Sequence, residues 1–131
     1  PVRLVLMDNR SDRFEAAAVV NRLIEQEHVI AIIGSYGSSN SIAGGAVAET
    51  AGIPVMGCSP TSPLVTAGRD YYFRVSYIDP FQAQVMAQYA VEEGINSIAI
   101  IYNITQSYSV GLANDFRQSW IELSGSADGR R

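Results

Sequence analysis

Short apolar runs alternate along this chain with segments whose apolar residues recur at helical spacing. Val2 to Met7 is a β-branched and leucine-rich run and predicts a first strand. Asp8-Asn9-Arg10-Ser11 is turn chemistry, and Asp12 followed by Glu15 has capping-box spacing, which predicts a helix over about residues 12–26. Its apolar positions Ala16, Val19, Val20, Leu23 and Ile24 fall on one side. Val29 to Ile33 predicts a second strand. A helix over about Ser39 to Ala51 follows; Gly52 ends it and Pro54 forbids its continuation. A short third strand is expected at Val55 to Gly57, a loop over Pro60 to Asp70, and a fourth strand at Tyr71 to Val75. Asp79-Pro80-Phe81-Gln82 reads as a helix start with Asp79 as N-cap, and that helix runs to about Glu93. Ser97 to Tyr102 predicts a fifth strand. A last helix begins near Tyr108 or Ser109 and carries Leu112, Phe116, Trp120 and Leu123. The domain is expected over 1–124, with a disordered tail over 125–131.

Strands that are continuous apolar runs, each followed by a helix, are the pattern of parallel strands covered on both faces. The expected class is α/β, an open and mostly parallel sheet flanked by helices on both faces. Ligands of such sheets bind beyond the carboxyl ends of the strands. Three loops there carry hydroxyl groups: Gly34 to Ser41, Cys58 to Ser62, and Asn103 to Tyr108. A helix that starts from such a loop points unpaired N–H groups and the positive end of its dipole at it, which suits a carboxylate or phosphate. The Gly34 loop is not a P-loop, because no GK[ST] follows and the chain has no lysine at all. Nor does it have the GxGxxG spacing of a dinucleotide fingerprint. Plainer readings stand beside the functional one. Ser38 or Ser39 could simply be the helix N-cap, and Ser59, Thr61 and Ser62 could simply satisfy turn backbone. Tyr36 either points into the cleft or is an ordinary loop residue. Tyr71, Tyr72 and Tyr77 are expected to pack at the sheet edge.

Composition narrows the function further. The chain has 131 residues, nearly half of them hydrophobic, enough for one core. The net charge is −4 and the only adjacent basic pair is Arg130-Arg131, so nucleic acid is not an expected partner. One cysteine, Cys58, and one histidine, His28, leave no intrachain disulfide and no Cys/His metal cluster. Cys58, at the end of an apolar strand, is expected to be a buried, inert small hydrophobe. No run reaches the ~18 apolar residues of a membrane span. No signal peptide is visible at the start of the chain. Catalysis is not expected: His28 lies at the strand end opposite the loops, and a phosphorelay receiver would need a lysine late in the chain. No cofactor is expected.

The succession AIIGSYGSSNS, AGIPVMGCSPTSPLVT, YYFRV, IAIIYN and YSVGLA resembles the amino-terminal lobe of periplasmic type I solute-binding proteins. It is most similar to the branched-chain amino acid receptors of ABC importers, over about residues 1–124. The resemblance implies a non-catalytic lobe, of flavodoxin- or Rossmann-like layout, that binds an amino acid or a similar carboxylate. It implies that Ser38 holds the ligand's α-carboxylate and that Thr61 contacts both carboxylate and ammonium. It further implies that the Ser59 carbonyl accepts from the ammonium, and that Tyr108 lines the cleft. An ABC permease would be the partner of the full-length protein, and the location would be periplasmic, or cytoplasmic if this is a free-standing fragment. Against that family, the first strand is expected to be missing and so is the second lobe. A sheet without its first strand has open edges, which invite pairing with another chain. The alternative function is therefore a truncated lobe that mainly self-associates as a dimer, with little or no ligand binding.

Overall fold

The computed structural model describes residues 1–125. The tail expected over 125–131 lies outside the described residues apart from Gly125. The chain divides into two units, residues 1–76 and the part from Tyr77 onward.

The first unit is built on α1 (Arg13–Glu25), β1 (Ile32–Ile33), α2 (Ser38–Ala51), β2 (Val55–Met56), a 3₁₀ turn (Pro63–Val65) and β3 (Tyr72–Phe73). Helix α1 starts where the capping pattern places it. The Asp12 carboxylate accepts the N–H groups of Phe14 and Glu15, both at 2.8 Å, a cap that contributes about 1 kcal/mol. Ala16, Val19 and Leu23 form its buried side. Helix α2 ends as expected at Gly52, in the left-handed conformation with φ 67°. Its start differs from expectation. Gly37, at φ 82°, is the N-cap, not Ser38 or Ser39. Few residues other than glycine adopt that backbone, which leaves the Ser38 hydroxyl for another partner.

The three strands are parallel in the order β1-β2-β3. Their register sets Ile32, Val55 and Tyr72 in one row, and Ile33, Met56 and Phe73 in the next. Side chains alternate across a sheet, so these rows face opposite ways. Ile32, Val55 and Tyr72 are buried with Val19, Leu23, Ala48 and Val65 in the core beneath α1 and α2. Ile33, Met56 and Phe73 are 81%, 44% and 50% exposed, so a continuous apolar row lies open on the other face.

The fold is thus α/β, with a small open parallel sheet flanked by helices. The strands are shorter than the apolar runs suggest. Val2 to Met7 is not a strand: no ladder forms there among the described residues. It alternates as a strand would, with Val5 and Met7 against the core and Leu4 and Leu6 exposed. Alternation decides which side is buried, but a ladder needs an adjacent edge. The second strand is likewise confined to Ile32–Ile33 and the fourth to Tyr72–Phe73.

The second unit contains α3 (Asp79–Glu92) and α4 (Ser107–Ser124). Ala83, Ala87 and Ala90 share one side of α3 at helical spacing. Their small side chains make room for Phe116 and Trp120 of α4, and together these five form a separate core. Asp79 is the first helical residue and not the cap, which is Ile78. The expected strand Ser97 to Tyr102 forms no ladder among the described residues. Ile98 packs on this core while Ile101 is fully exposed. Ser124 belongs to the last turn of α4 and is buried there.

Candidate functional site

Two loops leave the carboxyl ends of β1 and β2 in the first unit, and hydrogen bonds stitch them together. The loop after β1, Gly34 to Gly37, is held from three sides. The Tyr72 hydroxyl donates to the Gly34 carbonyl at 3.1 Å. The Ser41 hydroxyl donates to the Ser35 carbonyl at 3.2 Å, and the Asn9 amide donates to the Ser35 hydroxyl at 2.6 Å. Burial pushes the Tyr72 phenol above its ordinary value of 10.0, so it stays a neutral donor at physiological pH. Cys58 is exposed rather than buried, with its sulfur 3.5 Å from the Ser35 carbonyl. The strand ends two residues before it, so Cys58 belongs to the loop.

The link between the loops is Ser38. It is the first residue of α2 and is 2% exposed. Its hydroxyl oxygen accepts the Ser62 N–H at 3.2 Å. A hydroxyl has one donor proton and two acceptor positions, so that bond leaves the proton of Ser38 available for an anion. The first-turn N–H groups of α2, at the same end of the helix, lie outside the helical ladder.

Ser59 and Thr61 lie on the second loop. Ser59 is exposed and Thr61 half-buried, between the buried residues Pro60 and Ser62. Ser59 and Thr61 make no side-chain hydrogen bond among the described residues. The structure therefore brings Ser38 and the Ser59–Thr61 loop together within one unit. Tyr36 follows on the first loop, 79% exposed, and its carbonyl accepts from the Asn40 amide. Tyr108 belongs to the second unit, in the first turn of α4. There it borders a cavity of ≈ 270 Å³ with Met86, Ile98 and Leu112.

A cavity of ≈ 280 Å³ opens beneath the first loop. Tyr36 lines it, but Ser38, Ser59 and Thr61 do not. Its walls include Val19, Leu23, Ile32 and the Gly44-Gly45 pair. Asp8, Asn9, Ser35, Asn40 and Ser41 line it as well, so the wall is mixed polar and apolar and carries one carboxylate. Ser38, Ser59 and Thr61 stand at the rim where the two loops meet, outside the lining of this cavity.

Reading the sequence alone misses the residues that hold the rim: Asn9, Ser41, Tyr72 and Arg74. Asn9 bonds a side-chain hydroxyl 26 residues on, Ser41 a carbonyl six residues back, and Tyr72 a carbonyl 38 residues back. Arg74 donates to the Pro60 and Ser62 carbonyls, 14 and 12 residues back. No local spacing records these pairings.

Three comparisons bear on this arrangement. The family model for periplasmic binding protein matches residues 1–129. An amino acid binding protein of Pseudomonas aeruginosa is 33% identical over 118 residues, spanning 88% of this chain and 31% of that protein. The crystal structure of a leucine binding protein, LivK, from Thermotoga maritima superposes with a TM-score of 0.90 at 42% identity, covering 92% of this chain and 35% of that one. The branched-chain amino acid transporter substrate binding protein LivJ of Streptococcus pneumoniae, in complex with isoleucine, gives 0.81 at 33% identity, covering 90% and 34%. The chain spans about a third of the length of each of these relatives.

Proposed function

This chain belongs to the periplasmic binding protein family, and on that premise we propose that its first unit supplies one wall of an amino-acid site. Among its relatives, LivK is a leucine binding protein and LivJ a branched-chain amino acid transporter substrate binding protein. The ligand's α-carboxylate receives the Ser38 hydroxyl proton and the first-turn N–H groups of α2. The Thr61 hydroxyl serves both the carboxylate and the ammonium, and the Ser59 carbonyl accepts from the ammonium. The observation that carries this reading is the Ser38–Ser62 bond. It fixes a hydroxyl donor at a helix N-terminus beside a loop whose Ser59 and Thr61 side chains make no hydrogen bond among the described residues. Charge-assisted bonds of this kind contribute roughly 1.5–3 kcal/mol each. One wall alone offers a few of them, so affinity of about 1 mM is expected.

The test is a nitrogen-15 NMR titration with leucine and isoleucine. Saturable shifts are expected at Ser38, Thr61 and Ser62. Leucinamide and N-acetylleucine, which lack the carboxylate or the ammonium charge, are expected to bind several-fold more weakly. Absence of shifts at the rim with leucine at several times ~1 mM refutes the reading.

One observation favours a second reading, self-association. The exposed row Ile33, Met56 and Phe73 spans the whole sheet in register, and contiguous apolar surface of this kind marks association sites. Sedimentation velocity on the chain and on a Met56→Glu variant discriminates. A dimer that this variant dissociates supports the reading, and a monomer at ~0.1 mM protein rejects it, since a specific dimer is populated there.

A further inference from the structure

Arg74 follows β3, two residues after the buried Tyr72 and on the same side of the strand by alternation. Its guanidinium reaches back under the second loop. One nitrogen donates to the Pro60 carbonyl at 3.2 Å and to the Ser62 carbonyl at 2.6 Å. The other donates to the Thr66 hydroxyl at 3.3 Å. The Ser76 hydroxyl gives the Pro60 carbonyl a second donor at 3.1 Å.

These bonds fall on particular peptide groups. The Pro60 carbonyl belongs to the peptide plane before Thr61. The Ser62 N–H belongs to the plane after it, and the Ser38 hydroxyl holds that N–H. Both planes flanking Thr61 are therefore fixed, one by Arg74 and Ser76 and the other by Ser38. With both planes fixed, the φ and ψ of Thr61 have no freedom left, because those two dihedrals are all that separate the planes. Pro60 is buried and its ring limits its own φ. Thr61 is the only residue of the three that faces outward.

We propose that Arg74 is a positioning residue for the ligand site: its planar fork holds the Pro60–Ser62 turn so that Thr61 presents its N–H and its Cα–Cβ bond in one fixed direction. This rests on the reading of the rim as an amino-acid site. Arg74 touches no ligand; it acts through Thr61. The geometry needs a fork, because two carbonyls and a hydroxyl are satisfied at once from two nitrogens in a plane. A lysine carries the charge but a single donor centre, so it cannot reproduce the arrangement.

The experiment compares R74K, R74Q and S76A with the unaltered chain. Three quantities are read: the exchange rate of the Ser62 amide, the exchange rates of the Val19 and Leu23 amides in α1, and leucine affinity by titration. In R74K the Ser62 amide is expected to exchange about tenfold faster and leucine to bind about tenfold more weakly, while the α1 amides keep their rates. S76A, which removes one of two donors to Pro60, is expected to show the same pattern at about threefold. A general stabilising role predicts something else: α1 and Ser62 amides accelerate together. That result, or R74K with wild-type Ser62 exchange, overturns the inference. If R74Q does not fold, R74K and S76A decide. Failure of the underlying reading looks different, because there the unaltered chain binds no leucine while Ser62 exchange still responds to R74K.

Discussion

Replacing Gly45 with valine is expected to destabilise the first unit by about 3 kcal/mol, measured as a fall in the denaturant midpoint at constant slope. Gly45 lies inside α2, where glycine is a poor choice: alanine there would gain about 1 kcal/mol from helix propensity alone. The packing outweighs that gain. A Cβ on Gly45 would lie 2.6 and 2.9 Å from two ring carbons of Tyr72, and it would also run into the Arg69 guanidinium. Neither yields easily: the Arg69 guanidinium donates to the carbonyls of Ser41, Ile42 and Val65, and Tyr72 is 4% exposed with its hydroxyl tied to the Gly34 carbonyl. The neighbouring Gly44 makes the same kind of approach to α1, where a Cβ would meet Val20 at 2.9 Å. Overpacking of a rigid neighbour costs about 1–3 kcal/mol, and valine adds two methyl groups beyond the clashing Cβ. Ala46→Val is the control. Ala46 is exposed on the same helix, so only the propensity cost of a β-branched residue is expected, below about 1 kcal/mol. Equal losses at the two positions would mean that Tyr72 yields and that the Gly44-Gly45 pair is not a packing requirement. Since a whole domain is stable by only about 5–15 kcal/mol, the expected loss is a large share. It also reaches the site, because a displaced Tyr72 ring releases Gly34 from its donor.

The fold was legible in the sequence where a signal was local. Asp12 and Glu15 mark the start of α1, Gly52 marks the end of α2, and the alanines of α3 announce a narrow helix face by their spacing. Strand lengths were not legible. Val2–Met7 and Ser97–Tyr102 have strand composition, yet a ladder depends on a neighbouring edge that composition cannot supply. Val29–Ile33 shrank to two residues for the same reason. The caps of α2 and α3 were each assigned one or two positions too late, because Ser38 and Asp79 are both good capping residues while the backbone turned one residue earlier. At the site, hydroxyl residues after apolar runs identified the two loops of the first unit. Their supports were hidden. Arg74, in an aromatic run, carries no signal of the 12 or 14 residues it reaches back. The apolar run before Cys58 points to a core residue, but β2 stops at Met56.

Ser38→Ala is expected to produce two losses that can be measured apart. The first is stability. Ser38 is buried, and its oxygen accepts the N–H of Ser62, itself 2% exposed. Removing the oxygen leaves a buried N–H without an acceptor, which costs about 1–3 kcal/mol. The second is affinity. If the Ser38 proton serves a ligand carboxylate, the lost charge-assisted bond weakens leucine binding by about tenfold to a hundredfold. The two effects separate in a cycle with leucinamide, which keeps the ammonium and the side chain but not the carboxylate. A lost carboxylate contact weakens leucine and leaves leucinamide almost unchanged. A loosened Thr61 loop weakens both ligands equally, because Thr61 also serves the ammonium. Ser38→Thr separates them further, since it retains a hydroxyl at the same position and is expected to keep most of the affinity. Equal weakening of both ligands by Ser38→Ala would confine Ser38 to holding the Ser62 amide. The carboxylate would then have to be held by the first-turn N–H groups of α2, donors that only a proline substitution removes.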